Sequence, residues 1–523
     1  MTSAKRIFLS LLLGGVSVMG SVAAQEPAVG EELRLDVTRY RIEGDTPLSE
    51  AGTAALLAPF VGAKRSVQDI EQAARALEKH LSERGYAFHR VFVPAQKPAQ
   101  GEVVLKVIRF NLADVTVSGN EHFSAGNIRH SLPALQPGAA PAMASVGRDL
   151  SAANANPAKQ VAITFREGKK PETVDAEIRV KDANPLSVFA GLTSNRSVDP
   201  VHRADNLYRM TLGVQHSNLF DLDHVATLSY TTDPEHLSKV TLLGVYYQLP
   251  IYGSGLNLSG YYTHSDVNSG RVQQGAGFFD LSGRGEFYGI RLTQALPRLG
   301  TLQQTLSVAL DERYFENNTT FAGFQVQPDV SSLPLSAKYA VHQDQSWGVY
   351  GANLEYLVNL KGGSANSAAN YRQNGGDHSW DAWRFMADIS RSVGTWNLAG
   401  RLRGQWSSHT LISGEQLGLG GANSVRGFAD REVAGDYGYL WNIEAKGPAM
   451  LLPQLRPVLF VDGGAAHSRA TRHTEYLMSA GAGLRWSSQQ FEAALDLAQV
   501  VDRNDLNPEK TRLRLTASLF YRF

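Results

Sequence analysis

Residues 512–523 read Arg512-Leu-Arg-Leu-Thr-Ala-Ser-Leu-Phe-Tyr-Arg-Phe523. Leu513, Leu515, Ala517, Leu519, Tyr521 and Phe523 alternate with Arg512, Arg514, Thr516, Ser518, Phe520 and Arg522. A period of two places these sets on opposite faces of a strand. One face is apolar and ends on an aromatic, and the other carries three arginines. A strand standing between lipid and a wet lumen needs this division, with an aromatic at the interface. An ordinary amphipathic strand shows the same alternation, so the rest of the chain must decide.

Working back from this stretch, no helical period occurs after Leu186, and strands recur between turn signals. About sixteen are expected, an even number as bacterial barrels have. Their centres lie near Phe189, Leu212, Leu228, Leu243, Leu258, Ile290, Leu306, Lys338, Leu354, Ala387, Leu402, Trp441, Phe460, Gly481, Leu495 and Ala517. The connections divide by length. Phe220-Asp-Leu-Asp223, Ile251-Tyr-Gly-Ser254 and Gly394-Thr395 are tight, whereas 265–284, 361–381 and 410–436 are long and rich in Gly, Ser and Asn. Short turns on one side and long loops on the other suit a membrane barrel, and a soluble sandwich has no reason to segregate them. The expected class is an all-β transmembrane barrel over 185–523.

Two small α/β units are expected before it, at 33–110 and 111–184. The first reads strand, helix, helix, strand, strand. Its first strand runs from Leu33 to Ile42 with a shift of phase between Val37 and Tyr40. Its clearest helix starts at Ser66, a good N-cap, with Asp69 in the first turn and an apolar stripe of Ile70, Ala74, Leu77 and Leu81 before Gly85. Phe88–Val93 and Val103–Phe110 then form a hairpin. The second unit repeats the order, with strands at 112–117, 161–165 and 176–180 and helices at 124–132 and 143–153. Two consecutive units with one element order form an internal repeat.

Residues 1–24 have the layout of a secretory signal: Lys5 and Arg6, an apolar run from Ile7 to Met19, then Val22-Ala-Ala24. Beyond it no run of 18 apolar residues occurs, so crossing a membrane requires a closed barrel. The 50 basic and 50 acidic residues balance, and no global field favours nucleic acid. Zero cysteines exclude disulfides, thiol catalysis and thiolate metal sites. The 14 histidines lack metal spacing, leaving His236, His264 and His378 as solvated loop or lumen residues. Ser424 lies in no G-x-S-x-G elbow, and no P-loop Lys follows the glycines at 418–421. No catalytic residue, metal or cofactor is expected.

The longest loop contains Leu417-Gly-Leu-Gly-Gly-Ala-Asn-Ser-Val-Arg-Gly-Phe428, and a later strand reads Val458-Leu-Phe-Val-Asp-Gly-Gly464. Alternation turns Leu459 and Val461 to lipid and Phe460, Asp462 and Gly464 to the lumen. Arg426, in a loop able to fold inward, is the natural partner of Asp462, and it would be partly desolvated in a water-filled lumen. Val425, Arg426, Gly427 and Phe428 resemble the VRGY/F motif of polypeptide-transporting outer-membrane barrels, and Phe460, Asp462 and Gly464 resemble its F-x-D-x-G partner. In that superfamily the two lie after strand eleven and on strand thirteen, where the strand count also puts them here.

The two α/β units resemble POTRA domains. The second is similar to the two-partner-secretion version at Val117-Ser-Gly-Asn120, Leu132-Pro133 and Asn154-Ala-Asn-Pro157. Asp233-Pro-Glu-His236 and Tyr247-Gln-Leu-Pro250 resemble that family's barrel, and Tyr521 and Phe523 resemble the carboxy-terminal assembly signal of outer-membrane proteins. The chain thus resembles the TpsB transporters of two-partner secretion, the ShlB/FhaC/HecB-like haemolysin activators, in the superfamily of BamA. One departure stands out: only 25–32 precede the first strand, so the amino-terminal plug helix of many relatives is expected to be absent.

The resemblance implies an outer-membrane protein with periplasmic POTRA domains. They would capture an unfolded partner exoprotein, of haemolysin, haemagglutinin or adhesin type, by β-augmentation at strand edges. Ile42, Val161, Ile163 and Phe165 are the expected contacts. The exoprotein would then cross the lumen without ATP, past Arg512, Arg514, Glu492, Asp496 and Arg485. Other implied partners are the barrel-assembly machinery and outer-membrane lipid. An assembly factor of BamA type is the alternative; a passive porin would not need about 150 residues of periplasmic domain.

Overall fold

The computed structural model describes residues 34–523 except 99, 199–206, 236, 238–240, 267–269, 275–276, 282, 318–319, 322–323, 326, 364 and 504–512. The expected signal at 1–24, the segment 25–32, His236 and Arg512 lie outside the described residues. The chain forms two compact units. One comprises residues up to 118 with 133–147 and 162–179; the other comprises 119–132, 148–161 and 180–523.

The first repeat runs β1 (Arg34–Val37), β2 (Arg39–Gly44), α1 (Glu50–Leu57), β3 (Gly62–Ser66), α2 (Val67–Glu83), β4 (His89–Phe92) and β5 (Glu102–Arg109). Helix α2 forms for the reasons legible in its sequence. The Ser66 side chain accepts from the Asp69 amide, and the Asp69 carboxylate accepts from the Ser66 amide. Gly85, just past the helix, takes the left-handed conformation at φ 93°. Ile70, Ala73, Ala74, Leu77 and Leu81 pack on Val103, Leu105 and Val107 of β5.

The single strand expected from Leu33 to Ile42 is two. β1 pairs with β3, while β2 runs parallel to β5 in the sheet β2-β5-β4. The shift of phase marks the change of sheet. Thr38, between them, donates its amide to Gly101 O at 2.7 Å and its hydroxyl to Gln100 O at 3.0 Å.

The second repeat runs β6 (Asn111–Ser118), α3 (Ala125–His130), α4 (Met143–Ala153), β7 (Lys159–Glu167) and β8 (Thr173–Asp182), in the sheet β6-β8-β7. Its strands and helices fall where the pattern places them.

The barrel closes with sixteen antiparallel strands, and each expected centre falls in a different one. The first is Leu186–Ser197 and the sixteenth Leu513–Arg522. They pair from Arg514↔Ser197 to Arg522↔Phe189, and Phe523 and Val188 exchange both backbone hydrogen bonds beyond that. Exposed Leu306, Val308 and Leu310 alternate with buried Ser307, Ala309 and Asp311 on the seventh strand, Leu302–Phe315. Leu495 and Leu497 flank buried Asp496 in the same way on the fifteenth, Phe491–Arg503. A row of exposed aliphatic side chains outside a polar interior matches lipid outside and a lumen inside.

Two long loops carry structure of their own. A hairpin, Gly270–Gln274 with Gly277–Leu281, lies within 265–284, and a short helix, Ala368–Gln373, within 361–381. His378, expected to be solvated, packs edge-on against buried Tyr371 and places Nε2 3.2 Å from Asn366 O.

Candidate functional site

The eleventh barrel strand is Trp396–Trp406, and the loop after it folds back onto lumen-facing residues. Apolar packing seats one end. Leu419, Val425, Phe428 and Val433 of the loop bury against Leu440, Ala466 and Leu477 of the wall. Gly427 has φ 93°, where a Cβ would be strained, so the turn that aims Arg426 needs glycine.

Arg426 then meets the wall with all three nitrogens of its guanidinium. Nε donates to Asp462 Oδ2 at 2.6 Å and Nη2 to Asp462 Oδ1 at 2.8 Å, a two-pronged contact that only arginine makes. Its plane lies over the Phe460 ring, with Cζ 3.5 Å from the centroid. The Phe460 ring in turn lies against Gly481 of the fourteenth strand, His473–Ser487; a Cβ there would come within 2.4 Å of the ring.

Asp462 and Phe460 sit on the thirteenth strand, Leu455–Ser468. Asp462 has no exposed surface and Arg426 has 5%, so the pair is shielded from bulk water more fully than the partial desolvation of Arg426 expected in a water-filled lumen. The pair is also part of a larger cluster. Arg426 Nη1 donates to Glu444 Oε1 at 2.6 Å and to Asp496 Oδ2 at 3.4 Å. Arg485 Nη1 bonds Asp496 at 2.6 Å and Asn442 bonds Asp462 at 2.9 Å. Asp496, Arg485 and Arg514 face the lumen as expected, and Glu492, on the same face of its strand as Asp496, is exposed. Glu444 and Asn442 carried no mark in the sequence beyond facing inward on the twelfth strand, Tyr437–Lys446.

A second ionic anchor, missed by sequence reasoning, ties the loop to another part of the wall. Glu415 is buried and receives Arg313 Nη1 at 2.8 Å, Arg384 Nη2 at 3.0 Å and the Ser332 hydroxyl at 2.6 Å. Its arginine partners lie 102 and 31 positions away, so no local pattern could have shown it. Asp436 closes the loop's root, accepting from the amides of Leu411 and Arg469, both at 2.7 Å.

The Asn154-Ala-Asn-Pro157 string also has a structural role. Asn156 donates to Ser217 O at 2.7 Å and Asp223 Oδ1 at 3.3 Å. Lys159 Nζ sits 2.6 Å from Asp223 Oδ2, with the two side chains 0% and 1% exposed, and Tyr252 adds a third contact to Asp223 at 2.5 Å. Burial pushes the Lys159 ammonium below its ordinary pKa, against the pull of Asp223. Asp223 itself lies in the tight turn 220–223, in left-handed backbone at φ 62°.

The expected capture residues fare unequally. β2 with Ile42 and β7 with Ile163 and Phe165 are outer strands of their sheets. Phe165 packs its ring on Phe88 at 4.8 Å. Val161, expected as a contact, is not open to one. Its side chain is buried, and Asn154 occupies both its amide, at 2.6 Å, and its carbonyl, at 3.0 Å. At the carboxy-terminus, Tyr521 packs on Phe491 with centroids 4.5 Å apart, and Phe523 is 73% exposed. Among the described residues no group of His, Asp and Glu is arranged to hold a metal.

The chain is 23% identical over 474 residues to the outer membrane transporter CdiB of Dickeya dadantii (strain 3937), covering 86% of this chain and 80% of that one. It is 20% identical over 523 residues to the heme/hemopexin transporter protein HuxB of Haemophilus influenzae (strain 86-028NP), covering 94% and 89%. The solved structure of CdiB from Escherichia coli superimposes with a TM-score of 0.77 at 19% identity, over 96% of this chain and 93% of that one, which shows a shared fold. Residues 35–109 match the POTRA domain of ShlB type. Residues 178–486, more than half of the chain, match the haemolysin secretion/activation proteins, so the chain belongs to the ShlB/FhaC/HecB family.

Proposed function

We propose that this protein is an outer-membrane translocator that takes an unfolded partner exoprotein from the periplasm and passes it through its barrel to the cell surface. Family membership supports secretion over barrel assembly. The observation that carries the mechanism is the loop 407–436, seated in the lumen by two ionic anchors rather than built into the wall. A plug held by side chains can leave and return without unfolding the barrel.

In this reading residues 111–184 form a second POTRA domain after the first. The open edges of β2 and of β7 beyond Val161 offer backbone groups to an extended segment. No nucleotide is needed, since binding in the periplasm and folding outside supply direction. Arg426, Asp462 and Phe460 hold the closed state, and Phe523 with Tyr521 presents the end recognised during assembly.

The test is secretion of a partner exoprotein, to be sought in the gene neighbouring that of this chain. The full chain should release it to the medium. A chain lacking 34–182 should insert its barrel, by heat-modifiable migration, and secrete none. Full secretion without those residues would place recognition elsewhere and overturn the reading.

A further inference from the structure

Between the folded-in loop and the wall lies a cavity of about 370 Å³. Its lining carries five guanidinium groups, from Arg209, Arg313, Arg384, Arg403 and Arg431, against one carboxylate, Asp430, among the described residues. The whole chain is neutral, so this gathering of cations is local, and the carboxylates of Asp430, Glu415 and Asp311 beside them offset part of it. The arginines come from the second, seventh, tenth and eleventh strands and from the loop, which the chain brings together only on folding.

The cavity's cations already display the chemistry they select. Arg313 and Arg384 hold the carboxylate of Glu415, and Arg209 lies 3.7 Å from that of Asp430. Both acids belong to the loop that fills the lumen. Guanidinium groups match carboxylates in shape and stay charged at every accessible pH, so a carboxylate on a passing chain meets the same geometry. A cavity with low-dielectric walls strengthens that attraction relative to open water.

We propose that this cavity is a binding site for acidic stretches of the polypeptide in transit, and that their carboxylates compete with Glu415 and Asp430 for the arginines. An acidic passenger segment would then loosen the second anchor of the loop as it enters. The site rests on the reading of the protein as a polypeptide translocator, and it adds a substrate preference and a trigger to that reading.

The experiment uses the purified full chain in planar bilayers, with hexaglutamate and hexalysine as probes on the periplasmic side. Hexaglutamate should alter the current at roughly tenfold lower concentration than hexalysine, the effect of one or two partly exposed ion pairs. The double variant Arg209→Gln, Arg403→Gln removes two of the five arginines, leaves Glu415 its partners and should narrow the difference severalfold, with heat-modifiable migration confirming the barrel. Equal potency of the two peptides on the unaltered protein overturns the site, even if the variant fails to insert. So does a difference that the double variant leaves unchanged. Secretion is read separately in cells, so a translocator without this site would still release its partner while failing the peptide comparison.

Discussion

Arg426→Ala removes the one cation that, among the described residues, is shared by Asp462, Glu444 and Asp496. Asp462 has no exposed surface, and once the guanidinium is gone its remaining donors are Asn442 at 2.9 Å and the Arg426 amide at 3.2 Å. Breaking a buried pair from one side costs about 3–5 kcal/mol, and the dryness here points to the upper part of that range. At 1.4 kcal/mol per decade, the docked state loses roughly a hundred- to several-thousandfold against the undocked one. Asp462→Ala should cost less, because Arg426 keeps Glu444 at 2.6 Å and Asp496 at 3.4 Å. Arg426→Lys should fall between, since an ammonium reaches one acceptor but cannot take Asp462 with two prongs and stack on Phe460.

The assay exploits the absence of cysteine. Val425→Cys places the chain's one thiol at a fully buried position of the loop, and its labelling rate by a maleimide reports the undocked population. Labelling should accelerate by two orders of magnitude or more in Arg426→Ala and by less in Asp462→Ala. The double variant should match Arg426→Ala, because both changes act on one cluster. Unchanged labelling in Arg426→Ala, or strictly multiplicative effects in the double variant, would refute the reasoning.

Three further outcomes follow from other parts of the chain. Lys159→Met leaves Asp223 buried without its cation and should cost about 3–5 kcal/mol, read as faster proteolysis of the 119–161 region while the barrel keeps its heat-modifiable migration. Burial raises the pKa of Asp182, but the amides of His122, Glu121 and Phe123 outweigh it and hold the carboxyl below its ordinary value. A depressed carboxyl contributes stability that is present above the unfolded value of about 3.9. That contribution is lost as pH falls through the folded value. Protease resistance at 119–123 should therefore drop on acidification, and Asp182→Asn should be sensitive already at neutral pH. Deleting Phe523 removes an exposed aromatic and both hydrogen bonds to Val188 at the closing seam, and should lower the yield of inserted barrel on gels of outer-membrane fractions.

The alternation at 513–523 and its repetition upstream determined the barrel, because a strand's period of two is a local property that lipid on one side and a lumen on the other imprint on each strand separately. Capping did the same for α2, where Ser66 and Asp69 are three residues apart. Asp462 could be aimed inward from its strand alone, and Arg426 assigned to it from facing and resemblance. What the tertiary structure decided is how many charges share each site. Glu444 and Asp496 reach Arg426 from strands 18 and 70 residues away, and Arg313 reaches Glu415 across 102. Such contacts depend on strand register around a closed ring and on the path of a loop inside it, and neither leaves a trace in neighbouring residues. The blocked edge at Val161 teaches the same lesson at closer range. The period marked a strand, but only the fold shows that the Asn154 side chain had already taken its hydrogen bonds.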